Sequence, residues 1–237
     1  MTSTNETGPG LEPTLYTPPP GVTVGKFKNH PAYKPARSYM EEVAAALTPG
    51  HITDLILECH GAAWHAGWWH DPRTNEPLKR NNAEMLMLMV SELCEAADGD
   101  ERGLWDDKLK GRRMMEVELA DFEIRLFDFC GGLRLDLQAA YTRSEAEEPV
   151  YTQVHPIPTT PGLWRATRHV VEAMEADRKG NRDGVIMSLA RALRMVRWMA
   201  GVRGFNVPQA RVEKLAYNAT RADHKREARL APGGKAY

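Results

Sequence analysis

Two pairs of carboxylates carry the chemistry this sequence can be read for. Glu92 and Glu95 form the first, and after 22 intervening residues Glu118 and Asp121 form the second. Side chains three apart on a helix project to nearly the same side, so each pair presents two carboxylates together. Spacing alone carries little, because about two Glu-x-x-Glu pairs are expected by chance at this Glu content, and Glu145/Glu148 and Glu172/Glu175 repeat the pattern. The context is more telling. Glu92 and Glu95 sit in MLMLMVSELCEAA, apolar nearly all round, so both are expected on the packed side of a bundle. Unpaired carboxylates there would cost several kcal/mol each or take up protons. Four converging carboxylates without matching basic partners call for a cation, and hard oxygen ligands favour Mg²⁺ or Mn²⁺. A di-iron bundle would need Glu-x-x-His, which does not occur.

The elements that position these residues are read from proline, which helix interiors exclude. Seven of the 16 prolines fall in residues 1–36 and four in 149–161, leaving 78–148 and 162–207 proline-free. Residues 1–38 read as a disordered proline-rich arm and 149–161 as a linker between two halves, 39–148 and 162–237. Strand signals are weak. Helices are predicted over 39–48, 52–69, 83–98, 113–131, 136–146, 162–178, 183–202 and 206–227. Gly131-Gly132 and Gly201 are placed as C-terminal caps, and Asp136 and Asn206 as N-caps. The fold class is all-α.

Composition narrows the partners. With 31 Lys+Arg against 32 Asp+Glu, no net field gathers nucleic acid or anionic lipid. No apolar run approaches the length of a membrane span, and the N-terminus has no export signal. Cys59, Cys94 and Cys130 read as reduced core thiols, which fits a cytoplasmic setting.

The halves also match each other. At an offset of 70, Leu119, Ala120, Gly131 and Asp136 meet Leu189, Ala190, Gly201 and Asn206; at an offset of 80, Glu92 and Glu95 meet Glu172 and Glu175. An internal duplication accounts for the register of glycine and N-cap residues; helical periodicity alone would produce the Leu and Val matches.

Glu92-x-x-Glu95, the 22-residue spacer and Glu118-Leu119-Ala120-Asp121, continued through Ile124-Arg125, Asp128 and Asp136-Leu137, resemble the signature of MazG-like all-α nucleoside triphosphate pyrophosphohydrolases. The likeness covers about residues 52–140. The run from Glu213 and Lys214 through Tyr217, Asn218, Arg221 and Asp223, with Gly233-Gly234-Lys235, is similar to the tail of phage-type dATP/dGTP pyrophosphohydrolases, as is Gly67-Trp68-Trp69 before Asp71.

The resemblance implies that Glu92, Glu95, Glu118 and Asp121 hold Mg²⁺, with Mn²⁺ as the alternative. It implies that water attacks the α-phosphorus of a (deoxy)nucleoside triphosphate, and that a monophosphate and pyrophosphate leave. Glu95 is the candidate proton acceptor, which with Glu118 makes the catalytic pair. The location it implies is the cytoplasm, the host's if the chain is phage-encoded.

The chain departs from the pattern in a complementary way. After Asp136 the first half has Ser144 and Glu148 where the family has Lys and Asn, whereas the second half has Ser188 and Arg191 in place of its second acidic pair but keeps Lys214, Asn218 and Arg221. A single composite site inside an intrachain pseudo-dimer is the expectation, with carboxylates from one half and phosphate and sugar contacts from the other. Local charge agrees: residues 81–130 carry 13 acids and 6 bases, and 211–237 carry 3 acids and 7 bases.

Further candidates are Asn82 and Trp68 for the base, and Arg102, Lys108, Arg112 and Arg113 as a loop closing over the triphosphate. His60, His65 and His70 step too far round a helix to share a metal. His60, Trp64 and Trp68 would share one face. A non-catalytic interaction protein or nucleotide sensor with a relic site is the alternative, and a homo-oligomer is left open.

Overall fold

In the computed structural model, residues 34–71, 74, 76–147, 159–224 and 228 are described. They form eight α-helices and no strand: α1 (Lys34–Ala45), α2 (His51–His65), α3 (Asn82–Glu101), α4 (Met114–Leu133), α5 (Leu137–Glu147), α6 (Thr159–Arg178), α7 (Arg182–Arg203) and α8 (Val207–Thr220). The all-α reading holds. The arm up to Lys34, most of the linker and the Gly233-Gly234-Lys235 run lie outside the described residues.

Helix boundaries differ from the sequence reading where a local signal was misjudged. α1 starts inside the stretch read as arm, and α6 three residues early, because Pro35 and Pro161 are tolerated in a first turn. α2 stops at His65, and Gly67 then turns with φ 82°. Asn81 caps α3 by accepting from the Ala83 and Glu84 amides at 3.1 and 3.4 Å, and Asn206 caps α8 through Gln209 N at 3.2 Å. Asp136 accepts from Ala139 N at 3.1 Å, as expected of an N-cap.

The glycines read as C-caps are helical instead. α4 runs through Gly131 and Gly132 and ends on Arg134 in the left-handed region (φ 52°), while α7 runs through Gly201 to a left-handed Gly204. Close approach explains the first two. A Cβ on Gly131 would lie 2.5 Å from the His60 Cβ, and one on Gly132 would lie 1.9 Å from the Trp69 ring.

α4 is the central helix, packed against α2, α3, α7 and α8. Phe122, Leu126, Phe127 and Phe129 are fully buried along it. Among α3 to α8 the main pairings are α3 with α4, α6 with α7, α3 with α6, α4 with α7, α4 with α8 and α5 with α7. Exchanging α3, α4 and α5 for α6, α7 and α8 leaves that set unchanged. Burial of most of α4 has a chemical consequence, because each buried polar group on it must find a partner.

Candidate functional site

Glu116, Glu118 and Glu123 of α4 are all buried. Glu116 accepts from Arg112 Nη1 at 2.7 Å and from the Asn206 amide at 2.8 Å, and Glu123 is held by Arg197 at 3.2 Å and by Arg211. Glu118 has no such ion pair among the described residues, though the Lys214 charge acts on it. One oxygen each from Glu92, Glu95 and Glu118 lie within 4.8 Å of one another, a group that could hold a metal ion. Burial, the Asp121 charge and a hydrogen bond with Glu92 push the Glu118 carboxyl up to about 9. A carboxyl raised this far favours its protonated form in the metal-free cluster, hydrogen-bonded with Glu92.

The other carboxylates do not all sit as expected. Glu95 is exposed and accepts from Ser91 Oγ at 3.0 Å, so only Glu92 of the first pair is on the packed side. Two of the four have basic partners, against the expectation of an uncompensated quartet: Arg125 pairs with Glu92, and Lys214 Nζ lies 2.5 Å from Asp121 Oδ2. Asp121 is thus outside the three-carboxylate group. Burial raises its carboxyl to about 6 despite Lys214. Burial pulls the Lys214 ammonium down, but the charges of Asp121 and Glu118 outweigh that and leave it raised.

Lys214 reaches the cluster because α8 and its cap meet α4 at Glu116, Asp121 and Glu123. Arg112 fixes that alignment, donating to both Glu213 oxygens at 2.6 and 2.8 Å as well as to Glu116. One turn beyond Lys214, the Asn218 Oδ1 is buried with no hydrogen-bond partner among the described residues. Arg221 follows, bound to Asp223 at 3.0 and 2.7 Å.

The loop cations expected to close over a triphosphate are engaged elsewhere. Arg112 holds Glu213, Arg113 lies over the Trp105 ring at 4.2 Å, Arg102 pairs with Asp98 at 2.8 Å, and Lys108 pairs with Asp107. Trp105, exposed beside Arg113, carried no signal in the sequence.

Asn82 and Trp68 lie away from the carboxylates. Asn82 is ten residues before Glu92, about 15 Å along α3, and donates to Asp177 Oδ1 at 2.9 Å. Trp68 falls past the end of α2, so it leaves the face of His60 and Trp64, and its carbonyl accepts from Arg80 at 2.6 Å. Asn82 lines a cleft at that end of the bundle, between the start of α3 and the ends of α4 and α6. His60 is a buried structural residue. Its Nδ1 lies 2.7 Å from Asp128 Oδ1, which only accepts, so Nδ1 carries a proton, and its Nε2 is hydrogen-bonded with the Tyr39 hydroxyl at 2.9 Å.

The second half shows no equivalent cluster among the described residues. Glu172 is paired with Arg168 and His169, and Glu175 with Arg178 and Lys179, all on α6 except Lys179, which directly follows it. Of the cysteines, Cys59 and Cys130 are buried with thiols pushed up by burial, whereas Cys94 is exposed. No described helix is long and apolar enough to cross a membrane. Comparison with protein-family models, curated proteins and solved structures finds no match for this chain.

Proposed function

We propose that this chain is a Mg²⁺-dependent nucleoside triphosphate pyrophosphohydrolase acting on purine deoxynucleotides, and that its single site is composite. The observation that carries this is the group of Glu92, Glu95 and Glu118 with Lys214 of α8 one residue pair away, on Asp121. All-oxygen donors suit Mg²⁺ or Mn²⁺, and three carboxylates leave room for water and substrate oxygens. Glu118, which otherwise needs a proton, is the group a divalent ion would relieve most. The unpartnered Asn218 Oδ1 supports a ligand contact beside Lys214. The helix pairings, unchanged on exchange of the two halves, support a pseudo-dimer made by duplication.

In this reading Glu92, Glu95 and Glu118 hold the ion, which when bound neutralises phosphate oxygens and acidifies water. Glu95, the most exposed of the three, accepts the proton of the attacking water. Lys214 exchanges part of its contact with Asp121 for a phosphate oxygen, and Arg125 holds Glu92 in place. Asp121 then keeps Lys214 charged and oriented. Arg112, through Glu116 and Glu213, sets where α8 stands on α4 and so where Lys214 points.

One observation favours a second reading. Arg125 and Lys214 already neutralise two carboxylates, so the cluster is compatible with a metal-free structural core in an interaction protein. The readings part in one assay, pyrophosphate release from the four dNTPs with Mg²⁺. Release with purine preference, absent in Glu118→Gln, is expected of the hydrolase; no metal-dependent release from any dNTP favours the interaction protein.

A further inference from the structure

The cleft at the start of α3 plays no part in the reading above. It is an open cleft of about 1290 Å³, with room for a small-molecule ligand. Aromatic rings form one wall. Trp69 is fixed there: its indole Nε1 donates to Asp128 Oδ1 at 2.7 Å, His60 meets it edge-on at 5.1 Å, and its rim occupies the space where Gly132 lacks a Cβ. Trp64 stacks on Tyr39 with centroids 3.9 Å apart. Rings held by packing and hydrogen bonds lose little freedom when a ligand arrives, so binding here carries a small ordering cost.

Cations surround that wall. Arg80 lies 5.7 Å from the Trp69 centroid and Arg134 5.9 Å from that of Tyr39, and Lys79 and Arg178 complete the rim. Among the described lining residues only Glu175 and Asp177 oppose them. The pairs Arg134–Glu42 and Arg178–Glu175 are solvent-exposed, and exposed pairs contribute about 1 kcal/mol or less, so an incoming anion competes with them. Guanidinium forks match phosphate, and the partly buried rings of Tyr39 and Trp64 match a planar ring, Trp69 itself being buried behind the lining.

We propose that this cleft is a second binding site, separate from the carboxylate cluster, for a nucleotide-class ligand: a planar aromatic ring bearing a phosphate. It does not depend on the hydrolase reading, and the test keeps the two apart.

The full chain is titrated with AMP and with GMP in EDTA, by calorimetry and by tryptophan fluorescence. Adenosine and inorganic phosphate serve as half-ligands. Saturable binding of a monophosphate is expected, at least about tenfold tighter than either half-ligand. Arg134→Gly, which suits the left-handed φ of 52° and so preserves the fold, is expected to weaken it about tenfold, as is Arg178→Ala. Glu118→Gln should leave it unchanged. Four results would overturn the proposal: no saturable binding into the millimolar range, a half-ligand binding as tightly as the monophosphate, full affinity in both arginine variants, or loss of binding in Glu118→Gln.

Discussion

Glu118→Gln should make the metal-free protein more stable, and more so as pH rises. Burial and the neighbouring carboxylates lift this carboxyl from 4.5 to about 9. The unfolded chain releases the proton above pH 4.5, whereas the folded cluster holds it until about pH 9, so stability falls across that window. At about 1.4 kcal/mol per pH unit the cost reaches about 3 kcal/mol at pH 7. Water reaching the cluster on its exposed Glu95 side reduces this to about 1–2 kcal/mol. Glutamine has the shape of the protonated acid and keeps a donor for Glu92 without titrating. Thermal unfolding by circular dichroism in EDTA should show equal midpoints for variant and wild type at pH 4.5. At pH 7 the variant should lead by about 2–8 °C. Added Mg²⁺ should raise the wild-type midpoint and close that gap, because an ion bound only to the folded state stabilises it. A gap that does not grow with pH, or a variant less stable at pH 7, refutes the protonated-cluster reasoning.

Two further perturbations probe the frame. Gly132→Ala forces a methyl into the Trp69 ring and should cost about 2–3 kcal/mol in urea unfolding; an unchanged midpoint would contradict the packing of Trp69 on α4. Arg112→Ala strips Glu116 and Glu213 of their shared guanidinium and should cost about 3–4 kcal/mol at pH 7. Arg112 holds the Glu213 carboxyl below its ordinary 4.5, so that stabilisation is present above pH 4.5 and lost as pH falls through the lower folded value. The gap between wild type and variant should therefore shrink in acid, and a gap constant with pH would count against the pairing.

What the sequence made legible was local or periodic. The helices followed from apolar spacing and proline, and the approach of Glu92 to Glu118 from two acidic pairs on consecutive helices. The charge difference between 81–130 and 211–237 pointed to a cation of α8 beside the acids, where Lys214 stands. Less legible was the orientation of each carboxylate. Asp121 faces Lys214 and Glu95 faces solvent, and both depend on how α3, α4 and α8 are rotated against one another.

Beyond that regional charge difference, individual partners distant in sequence gave no pattern. Arg112 is 101 residues from Glu213, and His60 is 68 from Asp128. Glycine was misread for a physical reason. Gly131 and Gly132 looked like chain-ending residues, whereas their use is to let His60 and Trp69 approach the α4 backbone.

The most direct measurement is hydrolysis of dGTP in oxygen-18 water with Mg²⁺, followed by phosphorus NMR. If Glu92, Glu95, Glu118 and Lys214 form one pyrophosphohydrolase site, dGMP and pyrophosphate appear in equal amounts with the label only in dGMP, and turnover disappears in both Glu118→Gln and Lys214→Met. Label in released inorganic phosphate, turnover without Mg²⁺, or no turnover by the wild type would contradict it.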